Sequence, residues 1–105
     1  MTEADFQHAV IELAQYTGWL VFHPRPAQRN GTWATHMEGN AGFPDLVLCH
    51  PKRGVVFAEL KTAKGKLYVG QKAWLNALTD AGQDAVVWRP DDWPTILRRL
   101  QGGQT

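Results

Sequence analysis

Apolar positions recur along the chain with two different periods, and the switches between them mark out its elements. Phe6, Val10, Leu13 and Ala14 repeat at helical spacing, which predicts an amphipathic helix from Glu3 to about Tyr16. Thr2 followed three residues later by Asp5 supplies a capping box, and Gly18 can close the helix. "WLVFH" (Trp19 to His23) reads as a short apolar strand, ended by the two prolines of "HPRP". From Pro24 to Gly42 no period holds, and so long an irregular segment in a small domain is often functional, with disorder an equal reading. "DLVLCH" and "GVVFAELK" predict two strands joined by "PKR". "VGQKAWLNALTDAG" is a second helix, with Ala73, Trp74, Ala77, Leu78 and Ala81 on one face and Gly82 as its stop. "DAVVWR" is a fourth strand. "DDWPTILRRL" is a last helix, its acids at the N-terminus and Arg98 and Arg99 at the other end, as the helix dipole favours.

The order is helix, three strands, helix, strand, helix, with no internal repeat and no linker. It predicts one α/β domain over residues 1–105, built as a mixed sheet flanked by helices. Trp74, Trp88 and Trp93 fall on apolar faces and are expected in the core. With 105 residues the core is small, and a domain of this size often gains from dimerising.

Composition changes this picture little, with 44% hydrophobic and 20% charged residues and a net charge of +1. Charge distribution adds more. Lys52, Arg53, Lys61, Lys64, Lys66 and Lys72 lie between His50 and Lys72, where Glu59 is the sole acid. A basic middle suits phosphate binding, and equally an ordinary solvated surface. Cys49 is the single cysteine, which excludes an internal disulfide and a cysteine zinc cluster; its mid-strand position predicts a buried thiol. No stretch resembles a signal peptide or a spanning helix, so the expectation is a soluble cytoplasmic protein with no membrane partner. There is no phosphate-binding Gly-rich loop, no Ser/His/Asp arrangement and no helix-turn-helix signature.

The candidate chemistry lies in the hairpin. Alternation along "GVVFAELK" puts Glu59 and Lys61 on one face and Val56, Ala58 and Leu60 on the other. If the bend is the three residues Pro51 to Arg53, His50 pairs with Gly54 and Asp45 lies opposite Glu59. A two-residue bend puts Asp45 opposite Leu60 instead. Facing carboxylates are destabilising unless something positive lies between them, and a divalent cation would serve. Glu-x-Lys alone carries nothing, since it arises by chance in roughly one chain in three of this length. The combination is more specific: Gly-x-Pro-Asp opening one strand, a hairpin, Glu-x-Lys ending the next, then a helix bearing a glutamine.

That combination resembles the PD-(D/E)xK nuclease superfamily, and within it the small stand-alone, phage-type VRR-NUC (virus-type replication-repair nuclease) family. The likeness covers "TEADFQ", "GW", "GFPDLVL", "FAELKT", "GKL", the glutamine, "AG" and the final strand. It implies a restriction-endonuclease-like core. Asp45 and Glu59 would be metal ligands for Mg²⁺ or Mn²⁺, with the Leu60 carbonyl as a third. Lys61 would be the catalytic lysine, orienting or activating the attacking water or stabilising developing charge. Gln71 would hydrogen-bond near the scissile phosphate or Lys61. Glu3 matches a position from which related enzymes supply an additional acid, and reads equally well as a solvated first-turn carboxylate.

Arg25, Arg29, Lys64 and Lys66 are candidate phosphate contacts on loops, and His23 ends its strand where it could face the cleft. Trp33 could stack on a base or anchor a dimer interface, while His8 and His36 carry no metal-ligand spacing. The resemblance implies a metal-dependent endodeoxyribonuclease acting on structured DNA, branched or Holliday junctions above all, in replication, repair or recombination. The setting implied is a bacterial or phage-infected cell, with a homodimer or a helicase or replication partner fitting the work. The rival reading is a non-catalytic nucleic-acid-binding or assembly module on the same fold, or a nuclease subunit that needs a partner.

Overall fold

A computed structural model describes residues 1–24 and 38–102, together with the backbone of Ala27–Arg29 and Thr32–Ala34. Its elements run α1 (Glu3–Tyr16), β1 (Leu20–Phe22), β2 (Ala27–Arg29), β3 (Thr32–Ala34), β4 (Leu46–His50), β5 (Gly54–Leu60), α2 (Val69–Asp80), β6 (Asp84–Trp88), a 3₁₀ turn (Pro90–Asp92) and α3 (Trp93–Gln101). The main sheet has the order β1-β4-β5-β6. β4 is antiparallel to β1 and β5, whereas β5 and β6 are parallel. A parallel pair needs a crossover, and α2 supplies it. The mixed sheet flanked by helices, with the core order of a restriction-endonuclease-like fold, is as the sequence predicts.

The helix ends follow local chemistry. Thr2 Oγ1 accepts from Asp5 N at 3.1 Å and Thr2 N donates to Asp5 Oδ2 at 3.0 Å, closing the capping box of α1. Gly82 takes φ +84° just beyond α2, a conformation in which a side chain is strained, and its N–H donates to Thr79 O.

The core lies on one face of the sheet. Leu46, Leu48, Val56, Ala58 and Leu60 meet Phe6, Val10 and Ala14 of α1 and Ile96 and Leu100 of α3, all buried. Trp19 and Trp88 complete it, and Trp19 Nε1 donates to Leu100 O at 2.9 Å. α2 covers part of the other face, where Trp74 meets Phe43 and Phe43 meets Phe57, both edge to face.

Three expectations are corrected. The stretch from Pro24 to Gly42 is not wholly irregular, for β2 and β3 pair antiparallel as a second, two-stranded sheet. Strands of three residues are too short to show alternation. Cys49 is exposed rather than buried. It lies on the face opposite the core, opposite Leu20 of β1, which is also exposed. On α2 the buried residue is Leu75, with Gln71, Trp74 and Leu78 half-buried, while Ala73, Ala77 and Ala81 are exposed. The helix is turned by about one residue from the alanine-rich face, because larger side chains bury more area and Gln71 has a polar partner on the sheet. Trp88 is buried, whereas Trp74 and Trp93 are half-buried. Among the described residues no helix is long and apolar enough to cross a membrane.

Candidate active site

The bend between β4 and β5 has three residues, and His50 pairs with Gly54. Its geometry is set locally and then bolted to the body. Gly54 takes φ +93°, and His50 Nδ1 accepts from Lys52 N at 3.0 Å and Arg53 N at 3.2 Å. Arg53 Nη1 reaches Thr17 O at 3.1 Å and Leu100 O at 3.3 Å, tying the bend to the C-terminal ends of α1 and α3. The register therefore runs on to Leu46 opposite Ala58, and one step further Asp45 lies across from Glu59.

The Asp45 side chain continues the ladder where the backbone pairing stops. Its Oδ2 accepts from Leu60 N at 2.8 Å. In an extended strand the N–H and C=O of one residue point to the same edge, so the Leu60 carbonyl also faces the Asp45 side. His23 Nδ1 lies 2.8 Å from Asp45 O. A carbonyl can only accept, so Nδ1 carries the proton and His23 fixes the Asp45 backbone.

Glu59 is 2% exposed. Its Oε2 accepts from Gln71 Nε2 at 3.0 Å and lies 3.7 Å from Lys61 Nζ. Its Oε1 is buried without a hydrogen-bond partner. The carboxyl is pushed up to about 7, by burial first, then by the negative charge of Asp45, with Lys61 pulling the other way. Unpartnered buried carboxylate oxygens are costly. A divalent cation between Asp45 and Glu59 would satisfy Oε1 and remove the repulsion, so the donor set fits one. Mg²⁺ in particular is commonly held by one or two carboxylates with waters and substrate phosphate oxygens completing its shell.

Lys61 is buried, with its ammonium 5.1 Å from the centroid of the Tyr68 ring. Gln71 has a second role at the start of α2. Its Oε1 accepts from Tyr68 N at 2.9 Å, so one amide side chain holds both the helix start and Glu59. The loop bearing Lys64 is pinned by Arg89, whose Nη1 donates to Thr62 O and Gly65 O, each at 2.7 Å. Lys64 and Lys66, in the loop that joins Lys61 to Tyr68, are exposed, as is Lys72 on α2.

The structure thus brings together Asp45, Glu59, Leu60, Lys61 and Gln71, with His23 behind Asp45. Glu3 stands exposed in the first turn of α1, and no third His, Cys, Asp or Glu side chain joins the carboxylate pair among the described residues. The side chains of Arg25, Arg29, Trp33 and His36 lie outside the described residues.

Sequence reasoning missed Tyr68, Arg89 and a glycine pair. Gly42 has φ +101°, and a Cβ there would lie 2.4 Å from the carbonyl carbon of Gly70 and 2.7 Å from Gln71 N. A Cβ on Gly70 would lie 2.8 Å from Ala41 O. The loop leading to Asp45 and the first turn of α2 therefore touch backbone to backbone, with Trp74 Nε1 donating to Asn40 O at 3.0 Å beside them. The two glycines were visible beside Pro-Asp and Gln71, but their contact spans distant parts of the chain.

Comparison with protein families matches residues 11–91 to the family described as VRR-NUC domain. No curated protein and no solved structure matches the chain.

Proposed function

The chain belongs to the VRR-NUC domain family, a nuclease-type domain, and from that premise we propose that it is a metal-dependent endodeoxyribonuclease of structured DNA. The observation that carries the reading is the facing pair Asp45 and Glu59, with Glu59 Oε1 buried and unpartnered and Lys61 Nζ 3.7 Å from Oε2. A surface built only for binding has no use for a desolvated acid opposite another acid.

Asp45, Glu59 and the Leu60 carbonyl would hold Mg²⁺ or Mn²⁺, which supplies Lewis acidity toward the phosphate and a nucleophilic water at neutral pH. The chain's own groups do the rest. Leu60 N and His23 keep the Asp45 carboxylate and backbone fixed, and Gln71 fixes the Glu59 carboxylate. Lys61, buried and bearing a point charge with three donors, orients the attacking water or meets the charge developing on the non-bridging oxygens. Exposed Lys64 and Lys66 position the strand through its phosphates without reading sequence. Among the described residues no base-reading element is visible, which favours recognition by DNA shape, with branched and Holliday-type junctions leading. A homodimer suits this reading, since Leu20 and Phe22 leave an apolar sheet face uncovered at 75% and 60% exposure and two copies would offer two sites to two strands.

Incubating the protein with four-way junctions, flaps, duplex and single strands, with and without Mg²⁺ or Mn²⁺, tests the reading. Metal-dependent cutting that is lost in Asp45→Ala, Glu59→Ala and Lys61→Ala is expected. If no substrate is cut with either metal, or the variants cut as well as the parent, the catalytic reading fails; binding without cutting would favour the non-catalytic module.

A further inference from the structure

We propose that Tyr68 is a stacking platform for an unpaired nucleobase beside the bond to be cut, so that the site takes DNA whose strand is unpaired there. The inference rests on the nuclease reading above and assigns its substrate class.

Tyr68 is 72% exposed and its neighbour Val69 85%. Both stand at the start of α2, at the lip of the carboxylate site. A large aromatic kept in water forgoes its main contribution to stability, since its value lies in the area it buries. The ring is nevertheless held in place. Gln71 Oε1 accepts from Tyr68 N at 2.9 Å, and Lys61 Nζ lies over the ring at 5.1 Å from its centroid. The ammonium covers one face, and the exposure leaves the other open.

The occupant follows from position and charge. Lys61 Nζ is 3.7 Å from Glu59 Oε2 on one side and 5.1 Å from the ring centroid on the other. The ring is therefore within about three base steps of the carboxylates, at about 3.4 Å per step. Lys61 lies over the ring, and the short loop joining Lys61 to Tyr68 carries the exposed Lys64 and Lys66, so the ligand suited to this stretch is a polyanion. Sugars and phosphates offer no π-face. Bases inside a duplex have both faces occupied by their neighbours, so an unpaired base is the part of a nucleic acid that can meet the ring. The same amide that fixes Glu59 fixes the Tyr68 backbone, which keeps platform and carboxylates in one geometry.

Flap oligonucleotides carrying 2-aminopurine at the unpaired nucleotides next to the branch, the same flaps with abasic sites there, and a fully paired duplex are titrated in a chelator. The proteins are wild type, Tyr68→Phe and Tyr68→Ala. Stacking on an aromatic is worth enough per base that Tyr68→Ala should bind the base-containing flap about tenfold more weakly and lose the change in 2-aminopurine fluorescence. Tyr68→Phe should keep both, and the abasic flap should bind wild type and Tyr68→Ala alike. The proposal is overturned if wild type does not prefer the flap with bases to the abasic flap, or if Tyr68→Ala weakens both flaps and the duplex equally. Equal weakening would mean that Tyr68 acts only by propping Lys61. The nuclease reading is judged separately by cutting in Mg²⁺ or Mn²⁺. A wild type that cuts nothing sinks that reading while the chelator titration still decides the stack.

Discussion

Replacing Glu59 by glutamine should make the metal-free protein more stable above neutral pH. The substitution keeps shape and one hydrogen-bonding oxygen but removes a charge held at 2% exposure opposite Asp45. Burial and Asp45 raise the Glu59 carboxyl from 4.5 to about 7. The folded state thus holds this proton more tightly than the unfolded state. The associated stability is fully present below about 4.5 and is lost as pH rises through about 7. At about 1.4 kcal/mol for each pKa unit, the loss reaches about 3 kcal/mol. Lys61 forfeits its ion pair in the variant, so part of the gain is offset. The assay is urea unfolding in a chelator at pH 5 and pH 8. All other titratable groups are common to the two proteins, so only the difference between them is attributed to Glu59. Wild type should lose roughly 2–3 kcal/mol more than Glu59→Gln between these pH values, a relative midpoint shift of about 2 M urea. Adding Mn²⁺ at pH 8 should restore wild type alone, because a ligand that binds only the folded state stabilises it. Equal pH dependence in the two proteins, or a variant less stable than wild type at pH 8, would refute the facing-charge account.

Gly42→Ala places a side chain at φ +101° and a Cβ 2.4 Å from the Gly70 backbone. It should lower Tm by about 10 °C or more, with cutting reduced beyond the unfolded fraction as Gln71 is pushed from Glu59. Gly82→Ala is the control: its φ is +84° with nothing within 4 Å, so strain alone should cost about 1 kcal/mol, measured in the same melts. Gln71→Ala removes the donor to Glu59 Oε2 and the acceptor for Tyr68 N; metal titration should show about 10- to 100-fold weaker binding, and loss of the bond at the start of α2 should lower Tm by about 5 °C. Arg53→Ala removes the donor to Thr17 O and leaves Leu100 O with Trp19 Nε1 alone; it should cost about 2 kcal/mol in urea unfolding, while cutting at low temperature stays within a few-fold.

The hairpin and its candidate groups were legible because they are local. Period-2 alternation, the three-residue bend from Pro51 to Arg53 and the glycine after it determine that Asp45 faces Glu59, and Lys61 follows two residues on. Both ends of α1 and the stop of α2 were likewise written in short-range capping chemistry. Once sequence separation grows, the signal fades. The three-residue strands β2 and β3 are too short for a period to register. The face α2 presents depends on which side chains the sheet offers, so Leu75 and Gln71 turn inward although the alanines line up more evenly in sequence. Cys49 is exposed because α2 leaves the β1 and β4 end of its sheet face open. Glu3 was a match by position along the chain; it stands exposed in the first turn of α1, and no third acid joins the pair among the described residues. The sequence by itself determined which carboxylates and which lysine the hairpin carries and the register that opposes the two acids, since turn geometry and alternation act over a few residues. Tertiary structure alone decided how deeply Glu59 is buried, that Gln71 holds it, and that Tyr68 lies over Lys61. Desolvation and side-chain contact depend on how helix and sheet pack in space, and short-range pattern carries no record of that.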